Sequence, residues 1–283
     1  MGTRAAERRF MTTILLLSAV TGGLAIVQPP VPQPASYHLM ADQRAWMGIP
    51  NALDVLSNMS FAIVGLLGLV TTFDRTRGRA RFADPWERWP YAVMFAGVTL
   101  TALGSSYYHV APDNTRLVWD RLPMTAGFMG LLAATVGERI SVPAGRRLLA
   151  PLMIAGAASV FFWYWTELQG QGNLRPYLIV QFGSLLLILL MACLFPPRYS
   201  GTMHLLGALS LYAMSKFLEI GDRHVFELRH IVSGHTLKHL SAALAVLCLV
   251  HMLRVRNKRL SSTGGNQSRK HAYAGLSGSA TDG

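Results

Sequence analysis

The chain has 283 residues, of which 51% are hydrophobic and only 14% charged. With a mean hydropathy of +0.32, it is too apolar for an ordinary soluble domain and is typical of a protein that crosses a membrane several times. The two cysteines, Cys193 and Cys248, lie in separate apolar runs without metal-type spacing. Neither a disulfide framework nor thiolate chemistry is therefore expected.

Apolar runs long enough to cross the hydrocarbon core of a bilayer recur along the chain. Backbone polar groups cannot stay unpaired in lipid, and the runs show no period-2 alternation, so they are predicted to be helices rather than barrel strands. The predicted fold class is all-α, a polytopic membrane protein. Its eight predicted helices are residues 10–28, 54–73, 90–109, 122–138, 148–166, 175–195, 202–219 and 235–253.

The first of these runs also has the basic start and apolar middle of a secretory signal. We favour a retained helix, because no clear A-x-A cleavage site precedes the Pro-rich stretch that follows. The chain then divides into three parts. They are residues 1–28, a cytoplasmic N-terminus with an extra transmembrane helix or signal-like segment; residues 29–255, a membrane core; and residues 256–283, a basic tail that we expect to be disordered.

The net charge of +12 is distributed unevenly over this arrangement. The side that holds the N-terminus carries 18 of the 26 Lys and Arg residues and 6 of the 14 acids, whereas the other side carries eight of each. The positive-inside rule therefore predicts that both termini are cytoplasmic. Topology signals and some attraction to anionic lipids account for the charge without a nucleic-acid partner.

Polar side chains, which are costly at membrane depth, collect at the predicted outer ends of four helices. Their convergence predicts a site near the outer face, which is periplasmic or lumenal. The residues are Asn51, Asp54, Ser57 and Asn58 at the start of the second helix, Ser105, Ser106 and His109 at the end of the third, Asp120 at the start of the fourth, and His235 and His239 in the eighth.

The histidines in this set have the spacing of a metal site. His235 and His239 are four residues apart, so both imidazoles lie on one helix face and can reach a single ion. His109 is the natural third ligand, and three protein ligands with an open position for water are typical of catalytic zinc. The alternative is a chance pair of interfacial histidines, but a third histidine at the same depth favours the zinc site.

Ser105 and Asp120 are the predicted catalytic residues. Ser105 lies one helical turn before His109 on the same face, although a serine bonded to its own helix backbone is the alternative. Asp120 is suited to accept and return the proton of a zinc-activated water. Its alternatives are a helix cap or a pair with Arg116 or Arg121.

This spacing resembles that of the CREST superfamily of membrane hydrolases, which includes alkaline ceramidases, the progestin and adiponectin receptors and GPI-lipid remodelling proteins. The stretch DVLSN at residues 54–58 is also similar to the NTLSN that opens the first core helix of alkaline ceramidases. The resemblance covers residues 42–253 and implies a seven-helix core, with the first helix as an addition. The shared pattern is S-x-x-x-H, an aspartate eleven residues later and a late H-x-x-x-H, here Ser105, His109, Asp120, His235 and His239.

The resemblance implies a role for each of these residues. Zinc would be bound by His109, His235 and His239, with water in the fourth position. Ser105 would help to stabilise the oxyanion of an attacked amide, and Asp120 would shuttle the proton to the leaving amine. The implied partners are a ceramide-like lipid substrate and the bilayer itself; no protein partner is predicted.

Alkaline ceramidases also carry an acidic, Trp-containing calcium site just before the first core helix. The corresponding stretch here is ADQRAWMGIPNALD, in which asparagine stands where glutamate is expected. This departure argues against a bound calcium ion. A calcium-like or supporting site would comprise Asp42, Asn51, Asp54 and Asn58.

The sequence thus predicts a zinc-dependent intramembrane hydrolase that cleaves the amide bond of ceramide-like lipids into a fatty acid and a sphingoid base. The alternative is a lipid-responsive receptor of the progestin or adiponectin receptor type, in which the zinc is structural or only slowly hydrolytic. A metal or proton transporter would need polar residues through the whole membrane depth. Here they are confined largely to one end.

Overall fold

The computed structural model describes residues 29–74, 76 and 81–259. The predicted first helix and the chain beyond residue 259 lie outside these residues. The described chain is helical, with two isolated β-bridges and no β-strand. Its helices are α1 (Ala52–Phe73, interrupted at Asn58), α2 (Arg88–Val110), α3 (Asn114–Arg139), α4 (Val142–Leu168), α5 (Arg175–Leu194), α6 (Thr202–Ile220), α7 (Asp222–Arg229) and α8 (Gly234–Val255).

Four of these helices, α1, α4, α5 and α8, are long and apolar enough to cross a membrane. Much of their apolar surface is uncovered: only 22% of the most apolar stretch of α4 is buried, and Ile154 and Phe161 are both more than half exposed. Soluble proteins rarely expose so large an apolar surface to water, so these helices indicate a membrane protein. Membrane crossing by α2, α3 and α6 and the cytoplasmic location of both termini stay predictions.

The helices occur where the apolar runs predicted them, but α3 begins earlier than expected. Asp113 is the N-cap, and its side chain accepts a hydrogen bond from the Arg116 backbone N–H at 2.7 Å. Arg116 also pairs with Asp113 through its side chain. Asp120 therefore lies six residues inside α3, and the expectation that it begins the helix, as a cap or as a partner of Arg116, is wrong.

The order of packing brings distant parts of the sequence together. Helix α2 packs against α1 and α3, α3 packs against α4 and α5, and α8 packs against α6 and α1. Because α1 contacts both α2 and α8, it brings the histidines of these two helices together. A shared core of α2, α3, α5, α6 and α8 supports them, with Phe95, Ile188 and Leu253 fully buried.

Two glycines next to site residues allow unusually close contact between helices. A Cβ atom on Gly104 of α2 would lie 1.9 Å from the Trp119 carbonyl oxygen of α3. Pro123 has no N–H to bond that carbonyl, so the oxygen is free to face Gly104. At the start of α8, a Cβ on Gly234 would lie 2.3 Å from the Leu218 carbonyl oxygen. Ser105, which follows Gly104, and His235, which follows Gly234, therefore lie where two helices are in close contact.

Residues 29–51 run across one end of the bundle, the end that carries the polar residues. The Gln33 N–H donates to Glu167 at the end of α4. The His38 ring contacts the Tyr108 hydroxyl of α2 and the Asn114 amide of α3, each at 3.0 Å. This covering segment therefore touches three helices and separates the polar end of the bundle from the surrounding solution.

Candidate metal centre

The three predicted zinc ligands come together in one buried group. His109 from α2 and His235 and His239 from α8 are each at most 5% exposed. One ligand atom from each histidine lies within 4.8 Å of the other two, an arrangement that could hold a metal ion. The i and i+4 spacing on α8 and the contact between α2 and α8 together produce this group.

The distances between the rings fit a small tetrahedral ion. The Nε2 atoms of His109 and His235 are 3.2 Å apart. Two nitrogens bound to one tetrahedral zinc at the usual bond length are ~3.3 Å apart. The ring centroids of the three histidines are separated by 4.7, 4.9 and 5.1 Å, so the third imidazole lies at a comparable distance. Without an ion, the same two nitrogens can share one proton as a hydrogen bond.

A serine on α1 fixes the tautomer of His239. The Ser57 hydroxyl lies 2.7 Å from His239 Nδ1 and donates its single proton to the Asp54 carbonyl oxygen at 3.0 Å. With the hydroxyl proton directed to Asp54, the serine oxygen is placed to accept a hydrogen bond from Nδ1–H of His239. This leaves Nε2 as the unprotonated nitrogen, the form that a metal ligand requires.

The backbones of the other two ligands are also held by polar side chains. The Asn51 side-chain amide donates to the His109 carbonyl oxygen at 2.8 Å, and Asp222 accepts from the His235 N–H at 2.7 Å. Nδ1 of His109 is buried and has no hydrogen-bond partner among the described residues. Among the described residues, this ring is therefore contacted by a hydrogen-bonding side chain only on its Nε2 side.

Ser105 and Asp120, the predicted catalytic pair, lie together at the crossing of α2 and α3. Both are buried, and the Ser105 side chain lies beside the Asp120 carboxylate. Ser106 faces elsewhere and donates to the Val55 carbonyl oxygen. Asp120 lines a polar cavity that Lys238 also lines, and Lys238 contacts His235. Lys238 is therefore the residue of the cavity wall that also touches the histidine group.

The four residues proposed for a calcium-like site are buried and make contacts with several parts of the chain. Asp42 forms an ion pair with Arg44 at 2.7 Å, and Arg44 lowers the pKa of Asp42 through hydrogen bonds to its carboxylate. Asn58 donates to the Asp54 carbonyl oxygen. Asp54 accepts from Ser233 and Thr236 at the start of α8. Asn51, Asp54 and Asn58 thus support the helices that carry the histidines, and Asp42, in the covering segment, lies near enough to Asp54 for the two charges to interact.

The structure adds a charged group that the sequence analysis missed. Lys238 lies between the two histidines of α8, with its Nζ 3.3 Å from His235 Nε2 and 2.6 Å from the Glu219 carboxylate. Glu219 also pairs with Lys216 at 2.6 Å. An ion held by the three imidazoles would replace Lys238 at His235, and Glu219 would keep the ammonium nearby. The sequence could have indicated this residue, because a lysine within an apolar helix is a candidate functional residue.

The polar cavity has a volume of about 370 Å³, and an apolar cavity shares one residue of its wall. The apolar cavity lies between α1, α2, α3, α5, α6 and α8, and almost all of its wall is hydrocarbon. Met124 lines both cavities. Gln181, in a π-helical turn of α5 at the polar side, donates to the hydroxyl of Tyr212 at the apolar side. The two cavities together can take a molecule with a polar end and an alkyl chain.

His224 in the short α7 and His230 just after it are exposed and do not join the site. Of the predicted site, the structure therefore assembles the histidine group and the Ser105–Asp120 pair. No protein-family model matches the chain, and a search of curated proteins found no match.

Proposed function

We propose that the chain is a zinc-dependent hydrolase within the membrane that cleaves the amide bond of a lipid, with a ceramide-like molecule as the nominal substrate. The observation that carries this proposal is the buried group of three imidazoles beside a cavity that contains a carboxylate. Three histidines suit zinc and leave a position for water. The resemblance to membrane hydrolases of the CREST superfamily rests on the same residues and agrees with it.

The metal would supply Lewis-acid chemistry: bound zinc makes water available as a nucleophile near neutral pH and polarises a carbonyl. The protein residues then have to move protons. Asp120 accepts the proton that the attacking water loses and returns it to the nitrogen of the leaving amine. One amide and one water thereby give one carboxylic acid and one amine.

Ser105 links proton transfer to charge stabilisation. Its hydroxyl lies beside the Asp120 carboxylate, to which it would donate a hydrogen bond in the resting arrangement. When Asp120 takes up a proton, it no longer needs that hydrogen bond, and the Ser105 proton becomes free to stabilise the developing oxyanion. The serine would thus act in the transition state more strongly than in the ground state, which is the requirement for accelerating the chemical step.

The surroundings suit a lipid substrate. The covering segment of residues 29–51 lies over the polar end of the bundle, so a substrate would enter laterally between helices from the bilayer. Its polar part would occupy the cavity beside Asp120, and its alkyl chain would extend past Met124 into the apolar cavity.

The test begins with the purified protein and its zinc content per chain. Release of fatty acid from labelled ceramide is then measured for wild type, Ser105→Ala, Asp120→Asn and His235→Ala. We expect His235→Ala to lose zinc and turnover together. Asp120→Asn should keep zinc and lose about 10²–10⁴-fold in rate, the usual contribution of a positioned acid or base. His224→Ala, which changes an exposed histidine, is the matched control.

The outcomes separate the candidate functions. Bound zinc without turnover of any lipid amide would favour a lipid-responsive receptor over an enzyme. Zinc that exchanges across the membrane during the assay would favour transport. A protein that binds no zinc would contradict both the hydrolase and the receptor.

A further inference from the structure

The polar cavity carries more positive than negative side chains. Among the described residues that line it, three are cationic and two are acidic: Arg121, Lys216 and Lys238 against Asp120 and Glu219. Both lysines pair with the single carboxylate of Glu219, each at 2.6 Å. Asp120 is engaged by Ser105. The cavity wall therefore has one positive charge in excess before any metal is counted.

Arg121 is the cation without an acidic partner in the described structure. It is buried, forms no ion pair there, and its printed hydrogen bond goes from Nη2 to the neutral side-chain oxygen of Gln33 at 2.6 Å. Its Nη1 has no hydrogen-bond partner among the described residues. A buried guanidinium usually has a carboxylate or phosphate to accept its hydrogen bonds, because an unpaired buried charge is costly.

Aromatic rings hold this guanidinium at the cavity wall. It lies 4.2 Å from the ring centroid of Trp163 and 4.7 Å from that of Tyr177. Both rings are buried, and Tyr177 lines the same cavity. Stacking of this kind fixes the plane of the guanidinium, which reduces the entropy lost when an oxyanion binds to it.

We propose that this cavity is a subsite for an anionic group, and that the preferred substrates are N-acyl lipids whose polar part carries a carboxylate or a phosphate rather than neutral ceramides. This inference rests on the proposed hydrolase function and names its substrate class. Arg121 and Lys216 bind the anion, and the acyl chain lies in the apolar cavity beyond Met124. Arginine suits this role because its fork of N–H donors matches both carboxylate and phosphate oxygens.

A purely structural role for Arg121 predicts different behaviour. In that case the stack with Trp163 and the bond to Gln33 would only fasten the covering segment to α3. Removing the charge would then lower stability, but it would not change the preference between a charged and an uncharged ligand. The test must therefore compare ligands that differ in charge alone.

Binding is measured first, on the full chain in detergent after chelation of metal, so that the result does not depend on catalysis. The probes are N-palmitoylglycine and its neutral amide, N-palmitoylglycinamide. Wild type should bind the acid about tenfold or more tightly than the amide. This ratio is the gain in affinity expected from a buried charge-assisted hydrogen bond. Ceramide 1-phosphate against ceramide gives the same comparison for a phosphate.

Two variants assign the preference to the cavity. Arg121→Gln and Lys216→Gln should each reduce the preference for the acid to about threefold or less, because each removes one charge-assisted bond. Arg147→Gln removes an exposed charge near the other end of α4 and should leave the preference unchanged. If Arg121→Gln does not elute as a single species on size exclusion, Lys216→Gln decides the outcome.

Equal affinity for N-palmitoylglycine and its amide would overturn the proposal, as would a preference that survives both substitutions. Palmitate that binds as tightly as N-palmitoylglycine through the same residues would assign the cavity to the released acid and overturn the headgroup assignment. Failure of hydrolysis is a separate result. A chain that prefers the anionic lipid but cleaves none contradicts the hydrolase and not the anion subsite.

Discussion

The hydrogen bond between Ser57 and His239 predicts how strongly the metal centre depends on residues that do not touch the ion. In Ser57→Ala, the Nδ1–H of His239 loses its acceptor at 2.7 Å. The ring is then free to rotate or to change tautomer, and either change removes the lone pair of Nε2 from the metal position. Loss of such an orienting partner usually weakens metal binding by about 10–100-fold.

The local structure places the expected effect at the lower end of that range. The Asp54 carbonyl oxygen accepts from both the Ser57 hydroxyl and Asn58, so removal of the hydroxyl leaves one of its two acceptor positions open next to the ring. The oxygen can accept from His239 Nδ1 in place of the hydroxyl. We therefore expect the zinc dissociation constant to rise about tenfold, which corresponds to about 1.4 kcal/mol.

Competition with a chelator of known zinc affinity measures this change. Ser60→Ala is the matched control, because Ser60 lies on the same helix and its hydroxyl donates at 2.6 Å to the Ser57 carbonyl oxygen, with no contact to a histidine. A dissociation constant for Ser57→Ala within about twofold of wild type would refute the orienting role. An equal loss in Ser60→Ala would show that α1 had only been destabilised.

Three further predictions test the helix crossing, the cavities and the covering segment. Gly104→Ala places a methyl group 1.9 Å from the Trp119 carbonyl oxygen. We therefore expect a lower melting temperature, a free energy of unfolding reduced by about 1–3 kcal/mol, and slower turnover. An unchanged melting temperature would contradict the close crossing. Met124→Trp should narrow the junction between the cavities and reduce turnover of long-chain amides more than short-chain ones; an equal effect on both would exclude that path. Arg44 lowers the pKa of Asp42, so their pair should stabilise the fold above the ordinary aspartate pKa of about 3.9 and lose this contribution as the pH falls below it. The difference in melting temperature between wild type and Asp42→Asn should therefore shrink at acid pH, and added calcium should change neither protein.

The sequence predicted the long helices well because each contains a continuous apolar run. Apolar runs define their middles, and the described helices from α1 to α8 coincide with predicted runs, apart from the short α7. The beginning of α3 was missed because the stretch before residue 122 is polar, and hydropathy does not register a helix held by an Asp113 cap. The buried position of Asp120 follows from that cap and could not be read from hydropathy.

The histidine group was also predictable, because i and i+4 spacing gives two ligands on one face and helix orientation gives a third at the same depth. The charged cavity could not be predicted from the sequence. Lys216 and Glu219 are near the end of α6, where charged residues normally reach water, and Lys238 meets them only because α6 and α8 pack side by side. No spacing in the sequence indicates that two lysines from different helices share one carboxylate. Such pairs are properties of packing between helices.

The stretch predicted to resemble a calcium site is also held by contacts between residues far apart in the sequence. Calcium prefers carboxylate and backbone carbonyl oxygens. In the covering segment, the Arg44 guanidinium takes both: it bonds to the Asp42 carboxylate and to the carbonyl oxygens of His230 and Ile231, at distances of 2.7 to 2.8 Å. A cation on the chain itself thus occupies the oxygens nearest Asp42. The Arg44 side chain thereby joins the segment over the histidines to the loop before α8.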